Sequence, residues 1–449
     1  MTRDAPGPAG LPLFGNLFDF GGGDRLTSMV RLRQQYGDIV RLRIMGRTLH
    51  IVSHPDDIKY VLQDNNRNYV KGRALGKAKV FLGEGLLTSE GELWRRQRRL
   101  AQPAFHRQHI ERFAATMTDA TADLLQRWEP LAKAGQPINV ADQMMRLTLD
   151  IVSRTLFSTG LTAAEIDSVA AAMPFILRET DRRIRAPLEI REHLPLPSNR
   201  RFQTNLRTLD AIVYRIIADR RRLGGDRDDL LGLLMAARDE ETGAAMDDKQ
   251  LRDEAMTIFL AGHETTANNL AWTWTLLSQH PDGRRRLQAE LDQVLRGRTP
   301  DAADMPRLIY TRMVLDESLR LYPPAWAIAR QTTMPDQVGG YDIPANSGII
   351  MSSYVVHRHP AFWCNAEAFD PERFAPERIK TQHRYAYFPF GGGPRLCIGN
   401  SFALMESALI LAMISQRYDL NLWEGHPVVP ETAFTLRPLQ GVMVTLHVR

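Results

Sequence analysis

The sequence predicts a mainly α-helical fold with small peripheral β-sheets, built as one large domain. Three observations predict it. Apolar residues recur at helical spacing over most of 55–318, broken at Gly/Pro punctuation: Gly83, Gly85, Gly91, Pro103, Pro195, Pro197 and Gly224-Gly225. Short period-two alternation is confined to the two ends of the chain. No internal repeat, low-complexity tract or long Gly/Ser linker divides the 449 residues, although such a length alone gives a prior of roughly three domains. The expected order is a Pro-rich, β-rich opening over 1–55, a helical part over 56–322, and a part over 323–449 that mixes strands, an irregular loop and a long helix.

At the N-terminal end, residues 6–15 form a stiff Pro/Gly segment and 26–36 have helical spacing. Within 38–53, Ile39, Leu42, Ile44, Leu49 and Ile51 alternate with polar residues, which predicts two short paired strands. After Pro323-Pro324, strands are expected near 329–331, 337–343 and 348–352. Residues 370–394 read as an irregular loop, 400–418 as a helix and 428–448 as strand. In the helix over 247–280, Leu251, Ala255, Ile258, Gly262, Thr265, Asn269, Trp272 and Leu276 alternate spacings of four and three and share one face. That face is apolar at its ends but small or hydroxylic in its middle. Glycine costs about 1 kcal/mol in a helix relative to alanine. Its place beside Glu264 and Thr265 fits a gap where something else lies as well as it fits an ordinary buried helix.

Composition narrows the function classes. With 44% hydrophobic and 24% charged residues the chain is of ordinary globular type. Its net charge of +5 comes from short clusters such as Arg220-Arg221-Arg222 and Arg284-Arg285-Arg286, not from a basic stripe interleaved with aromatics, so nucleic-acid binding is not expected. Two cysteines, Cys364 and Cys397, argue against a disulfide framework and fit a reducing cytoplasm. The N-terminus lacks the apolar core of a signal peptide. No run approaches the roughly 20 apolar residues of a membrane span, so the expectation is a cytoplasmic protein with no membrane anchor.

Cys397 closes Phe390-Gly391-Gly392-Gly393-Pro394-Arg395-Leu396-Cys397-Ile398-Gly399, ahead of an apolar helical run. A thiol near a helix N-terminus with an arginine beside it is biased toward thiolate. A thiolate so held acts as nucleophile or metal ligand. No base is at hand in the surrounding sequence, and no further Cys or His stands nearby at zinc spacing. A single-thiolate iron ligand fits, with the glycines bringing backbone N–H groups close to the sulfur.

Other candidates gain weight from context. Glu317 and Arg320 share a helix face at i,i+3, and Arg373 within Pro371-Glu372-Arg373-Phe374 is placed to complete a buried three-membered network. Trp94 and Arg98, at i,i+4, both donate hydrogen bonds and suit a carboxylate. His263, His357 and His359 receive no role, because a lone helical histidine is more often structural than a ligand.

Taken together, these segments resemble the cytochrome P-450 family of haem-thiolate monooxygenases over essentially the whole chain. Residues 390–399 match its haem-binding loop at Phe390, Gly393, Arg395, Cys397 and Gly399. Glu317-Ser318-Leu319-Arg320 and Arg373 match its ion network, Ala261-Gly262-His263-Glu264-Thr265 its oxygen-binding groove, and Trp94 with Arg98 its propionate-binding helix.

The resemblance implies a single-domain triangular prism with one haem b per chain between a central distal helix and the proximal cysteine loop. Cys397 would be the iron ligand, and Trp94, Arg98, Arg330 and Arg395 would hold the propionates. Gly262 would open space over the haem, Thr265 would hydrogen-bond the co-substrate O2, and Glu264 would assist proton delivery. By family position the substrate pocket would include Phe81, Leu86, Leu87, Ile258, Phe259, Ala261, Ala325, Trp326, Ile328 and Leu436. These are mostly apolar, which implies a lipophilic substrate such as a terpenoid, fatty acid or steroid-like molecule.

The opening Pro6-Gly7-Pro8-Ala9-Gly10-Leu11-Pro12 resembles the Pro-rich hinge of membrane-anchored members, yet no anchor precedes it. The implied enzyme is soluble, monomeric, bacterial and related to the eukaryote-like branch. Its electrons would come from a separate ferredoxin or flavodoxin with an NAD(P)H-dependent reductase. Arg95, Arg96, Arg99, Arg378 and Arg384 are the candidates for docking that acidic partner. Two other readings stay open: a peroxide-driven haem-thiolate enzyme, against which the intact Glu264-Thr265 pair weighs, and a non-catalytic haem-binding sensor or carrier.

Overall fold

A computed structural model describes residues 3–21, 24–157, 161–185, 194, 196–223 and 229–449; the predicted breaks at Pro195 and Gly224-Gly225 lie outside the described residues. The chain folds into two compact units. One comprises residues 1–74, 313–397 and 430–437, the other 75–312, 398–429 and 438–449.

The first unit is organised around a five-stranded sheet in the order Ile39–Ile44, Arg47–Val52, Gly348–Met351, Ile328–Thr332, Tyr69–Lys71. The predicted N-terminal pair forms an antiparallel hairpin, with Leu42 opposite Leu49. Its second strand pairs in parallel with Gly348–Met351, Ile51 lying opposite Ile350. The two ends of the sequence therefore share one sheet. Val40, Leu42 and Ile51 pack on one face against Met29 and Leu32 of helix Arg25–Tyr36, whose N-cap Asp24 accepts from the N–H of Thr27. Ile39, Val52 and Ile349 project to the other face and pack with Ile58, Val338 and Ile343. The expected strand over 337–343 is instead a hairpin, Asp336–Val338 with Tyr341–Ile343, because Gly339 and Gly340 turn the chain at positive φ. The irregular loop over 370–394 holds only short turns, among them the 3-10 helices Pro371–Phe374 and Gly393–Arg395.

The second unit is helical. Helix Asp248–Gln279 is capped by Asp247, whose carboxylate accepts from the N–H of Gln250, and it is buried on nearly every side. It packs on Val140–Phe157, where the hydroxyl of Thr148 donates to the carbonyl of His263 at 2.9 Å. Helix Asn400–Arg417 ends one residue before the expected 418, because Tyr418 turns extended and starts a strand, Tyr418–Leu422. That strand pairs with Met443–Val448, which also pairs with Ile138–Asn139. Among the described residues, no helix is long and apolar enough to cross a membrane.

Candidate functional site

Each unit carries its own share of the expected residues. In the first, the cysteine loop is closed by its own backbone: the N–H of Cys397 donates to the carbonyl of Phe390 at 3.0 Å, and that of Leu396 to Gly393 at 3.1 Å. Gly393 sits at φ +63°, and a Cβ there would fall 1.9 Å from the carbonyl oxygen of Leu62. Only glycine satisfies both the left-handed backbone and that close approach. The loop is thus clamped, yet the side chain of Cys397 remains exposed. Phe390 and Arg395 are half-buried, and Ile328 reaches the loop, its Cδ1 lying 3.4 Å from where a Cβ of Gly391 would be.

The three-membered network forms as expected. Arg320 and Glu317 are fully buried and meet through two hydrogen bonds, at 2.6 and 2.8 Å. Arg320 also donates to the carbonyls of His357, Ala366 and Ala368. Glu317 accepts from the N–H of Asp370 at 2.8 Å, with the guanidinium of Arg373 at 3.4 Å. Burial pushes the Glu317 carboxyl above its usual range while Arg320 pulls it back. Arg330 is buried on its strand and donates to the carbonyl of Ala329.

His357, given no role from sequence, joins these two features. It is fully buried, its Nδ1 lies 3.3 Å from the carbonyl of Arg320, and its Nε2 accepts from the N–H of Phe388 just before the loop. Burial and the nearby Arg320 cation lower its pKa to about 3, so the ring is neutral, with its proton on Nδ1. Nothing in the spacing of one histidine signals such a contact.

In the second unit, the central helix is covered except along one short stripe. Ile258, Gly262 and Thr265 are half-buried and Ala261 is exposed, while their neighbours on the other faces are buried. These positions recur at i, i+3, i+4 and i+7, so they lie on a single face. The hydroxyl of Thr265 donates to the carbonyl of Ala261 at 2.7 Å. Glu264 is buried at 2% exposure. Trp94 and Arg98 share one side of helix Gly91–Ala101, both half-buried. Gly399 is the N-cap of helix Asn400–Arg417, and its carbonyl accepts from the N–H of Ala403.

A Cβ on Gly262 would come 2.9 Å from Cγ2 of Val152, so glycine here allows close packing on the neighbouring helix. Phe259 is one helical step from the open stripe and packs on Phe157 and His263. Phe81 and Leu436 are sealed at 0% exposure, and Trp326 packs against the cluster of Met29, Val40 and Ile51 while its indole donates to the carbonyl of Ala433. Leu86, Leu87, Ile258, Ala261, Ala325 and Ile328 keep accessible surface. The loop bearing Leu86 is tied to the central helix: Glu254 accepts from the N–H of Leu86 and Asp253 from that of Glu84. Arg96 donates to Ala245 and Arg99 pairs with Asp239 and Glu241, so these two cations brace the molecule internally. Arg378 and Arg384 are exposed.

The donor chemistry points one way. Among the described residues no cluster of His, Cys, Asp and Glu can hold a metal ion by itself, which leaves a lone soft sulfur on a rigid, accessible loop. Such a ligand suits iron already held in a porphyrin. The fold and this loop define a haem-thiolate oxygenase. The chain belongs to the cytochrome P-450 family: residues 5–445 match the family described as Cytochrome P-450. It is 38% identical to cyclooctatin synthase of Streptomyces melanosporofaciens over 98% of this chain and 95% of that protein. It is also 38% identical to pentalenene oxygenase of Streptomyces avermitilis, over 85% and 84% of the two chains. The crystal structure of the cytochrome P450DA heme domain superposes with a TM-score of 0.91 at 30% identity, covering 100% of this chain and 99% of that one. The protein is a cytochrome P-450 monooxygenase and a haem-iron enzyme.

Proposed function

We propose that the enzyme inserts one oxygen atom of O2 into a terpenoid-like, lipophilic small molecule, holding one haem b through Cys397. The observation that carries this reading is the exposed thiol of Cys397 on a loop clamped by the Phe390 carbonyl. Haem, when bound, supplies the oxygen-activating chemistry; the protein supplies ligand, anchors and protons. Trp94, Arg98 and Arg395 are hydrogen-bond donors of the kind that suits the two propionates. Arg330 joins them, turning from the Ala329 carbonyl.

Thr265 holds its hydroxyl at the open stripe, where its oxygen accepts a proton from water and passes on its own. The buried Glu264 carboxyl, adjacent in sequence, feeds that relay. Ile258 and Ala261 keep the stripe apolar and exclude bulk water. The substrate class rests on these side chains and on the relatives, one of them named cyclooctat-9-en-7-ol 5-monooxygenase at 40% identity over 86% of this chain. Electrons come from a separate ferredoxin or flavodoxin and its NAD(P)H-dependent reductase, docking near Arg378 and Arg384.

The test is Thr265→Ala in a reconstituted system. Uncoupling, with product per NAD(P)H falling about tenfold and peroxide rising, is expected; unchanged coupling would favour the peroxide-driven reading. A spectral screen of lipophilic compounds checks the substrate class, and tight binding only by charged polar molecules would overturn it.

A further inference from the structure

A rare backbone feature lies against the cysteine loop. Helix Pro55–Lys59 continues into a π-helical turn, Tyr60–Asp64, closed by the N–H of Asn65 donating to the carbonyl of Tyr60 at 2.8 Å. Such i→i+5 turns are uncommon and recur at functional sites. This one meets the loop directly. A Cβ on Gly393 would fall 1.9 Å from the carbonyl oxygen of Leu62 and 3.1 Å from Cα of Gln63. One residue back, a Cβ on Gly392 would fall 2.4 Å from the ring of Tyr385. Tyr385 is 2% exposed; its hydroxyl donates to Oε1 of Gln63 at 3.0 Å and accepts from the backbone N–H of Gly393. That hydroxyl therefore bridges the π turn and the loop. Gly393 is bonded forward in turn, its carbonyl accepting from the N–H of Leu396, the neighbour of Cys397.

Both ends of the π turn are held by one carboxylate. Asp336, on the hairpin that Gly339 and Gly340 turn, accepts from the hydroxyl of Tyr60 at 2.9 Å and from the side-chain amide of Asn65 at 2.8 Å. Tyr60 opens the turn and Asn65 closes it. The same carboxylate takes the hydroxyl of Tyr69 at 2.6 Å and the amide of Asn68 at 3.2 Å. Hydrogen bonds to an ionised acceptor are shorter and stronger than neutral ones. A continuous set of contacts thus runs from Asp336 through the π turn, then through Gln63 and Tyr385, to Gly392 and Gly393, all inside the first unit.

A metal ligand works only while the groups around it keep it in place, and a loop free to shift lets its thiolate leave the metal or take a proton. We propose that Gln63, Tyr385 and Asp336 are positioning residues for the sulfur of Cys397: by fixing Gly392 and Gly393 they keep the loop in the form that holds iron as a thiolate. This rests on Cys397 being the haem ligand.

The experiment follows the reduced, carbon monoxide-treated haem protein through a urea series, reading the thiolate-type Soret band beside far-ultraviolet circular dichroism. In Tyr385→Phe, Gln63→Leu and Asp336→Asn the band should vanish at urea concentrations where helix content is still that of the parent. At fixed low urea its decay should be about tenfold faster than in the parent. Gln63→Glu keeps an acceptor for the Tyr385 hydroxyl and should decay as the parent does. Band loss that only accompanies loss of helix content in the variants overturns the proposal, as does equally fast decay in Gln63→Glu and Gln63→Leu. A parent without a thiolate-type band overturns the ligand reading and this proposal together. A parent that has the band, with variants that match it, overturns the proposal alone.

Discussion

Arg320 donates five hydrogen bonds within the first unit, and its energetics can be stated sharply. Its guanidinium satisfies Glu317 and three carbonyls at 0% exposure. Removing one partner of a buried ion pair strands the other, at a cost of about 3–5 kcal/mol. Arg320→Leu should therefore lower the urea midpoint strongly and release haem. Arg373, partly exposed and 3.4 Å from Glu317, should cost less than half as much when changed to alanine; equal losses in denaturant titrations would refute this hierarchy.

Three buried imidazoles set the acid limit. Burial lowers the pKa of His50 and His263 to about 4 and of His357 to about 3, from 6.5. Below pH 6.5 the unfolded chain binds protons that the folded one refuses, so stability is full above that pH and falls by about 1.4 kcal/mol per unit per ring as pH drops. Neither nitrogen of His50 has a hydrogen-bond partner. His50→Leu should stabilise by about 1–2 kcal/mol and flatten the loss between pH 7 and 5; a steeper loss would contradict it. Glu406 has the opposite sign. It is fully buried with its carboxyl held well above the usual range by desolvation, so the folded state keeps a proton that the unfolded chain releases, and stability falls as pH rises. Glu406→Gln should be at least as stable as the parent at pH 8, by thermal melting.

At the scale of elements, the central helix shows how much of a face spacing alone can fix. Ile258, Gly262 and Thr265 were legible as members of one stripe from spacing alone; within it these three keep accessible surface, while Leu251, Ala255, Asn269, Trp272 and Leu276 are buried. Phe259 stood outside that spacing and was expected at the pocket only from the family resemblance; it is buried. Gly262 lies close against Val152. Gly262→Ala alone gains helix propensity but forces a stiff β-branched neighbour aside, so it should be neutral or destabilising. In a Val152→Ala background the same change should stabilise by about 0.5–1 kcal/mol. A coupling of zero in that cycle would return Gly262 to a role toward the open stripe.

At the scale of the whole molecule, what was legible was what is local in sequence. The cysteine loop, the Glu317–Arg320 pair and the Trp94–Arg98 pair each declare themselves within a few residues. What was not legible depends on distant partners: the parallel pairing of Arg47–Val52 with Gly348–Met351, the bond from Phe388 to His357, and the internal engagement of Arg96 and Arg99. Short strands such as Tyr69–Lys71 are set by neighbours already in the sheet, not by their own alternation.

The account rests on sulfur ligation by Cys397. The direct measurement is the absorption spectrum of reduced, carbon monoxide-treated protein, parent against Cys397→Ser, with haem content matched. Loss of the thiolate-type Soret band together with turnover is the predicted result. An unchanged band with full turnover would contradict it.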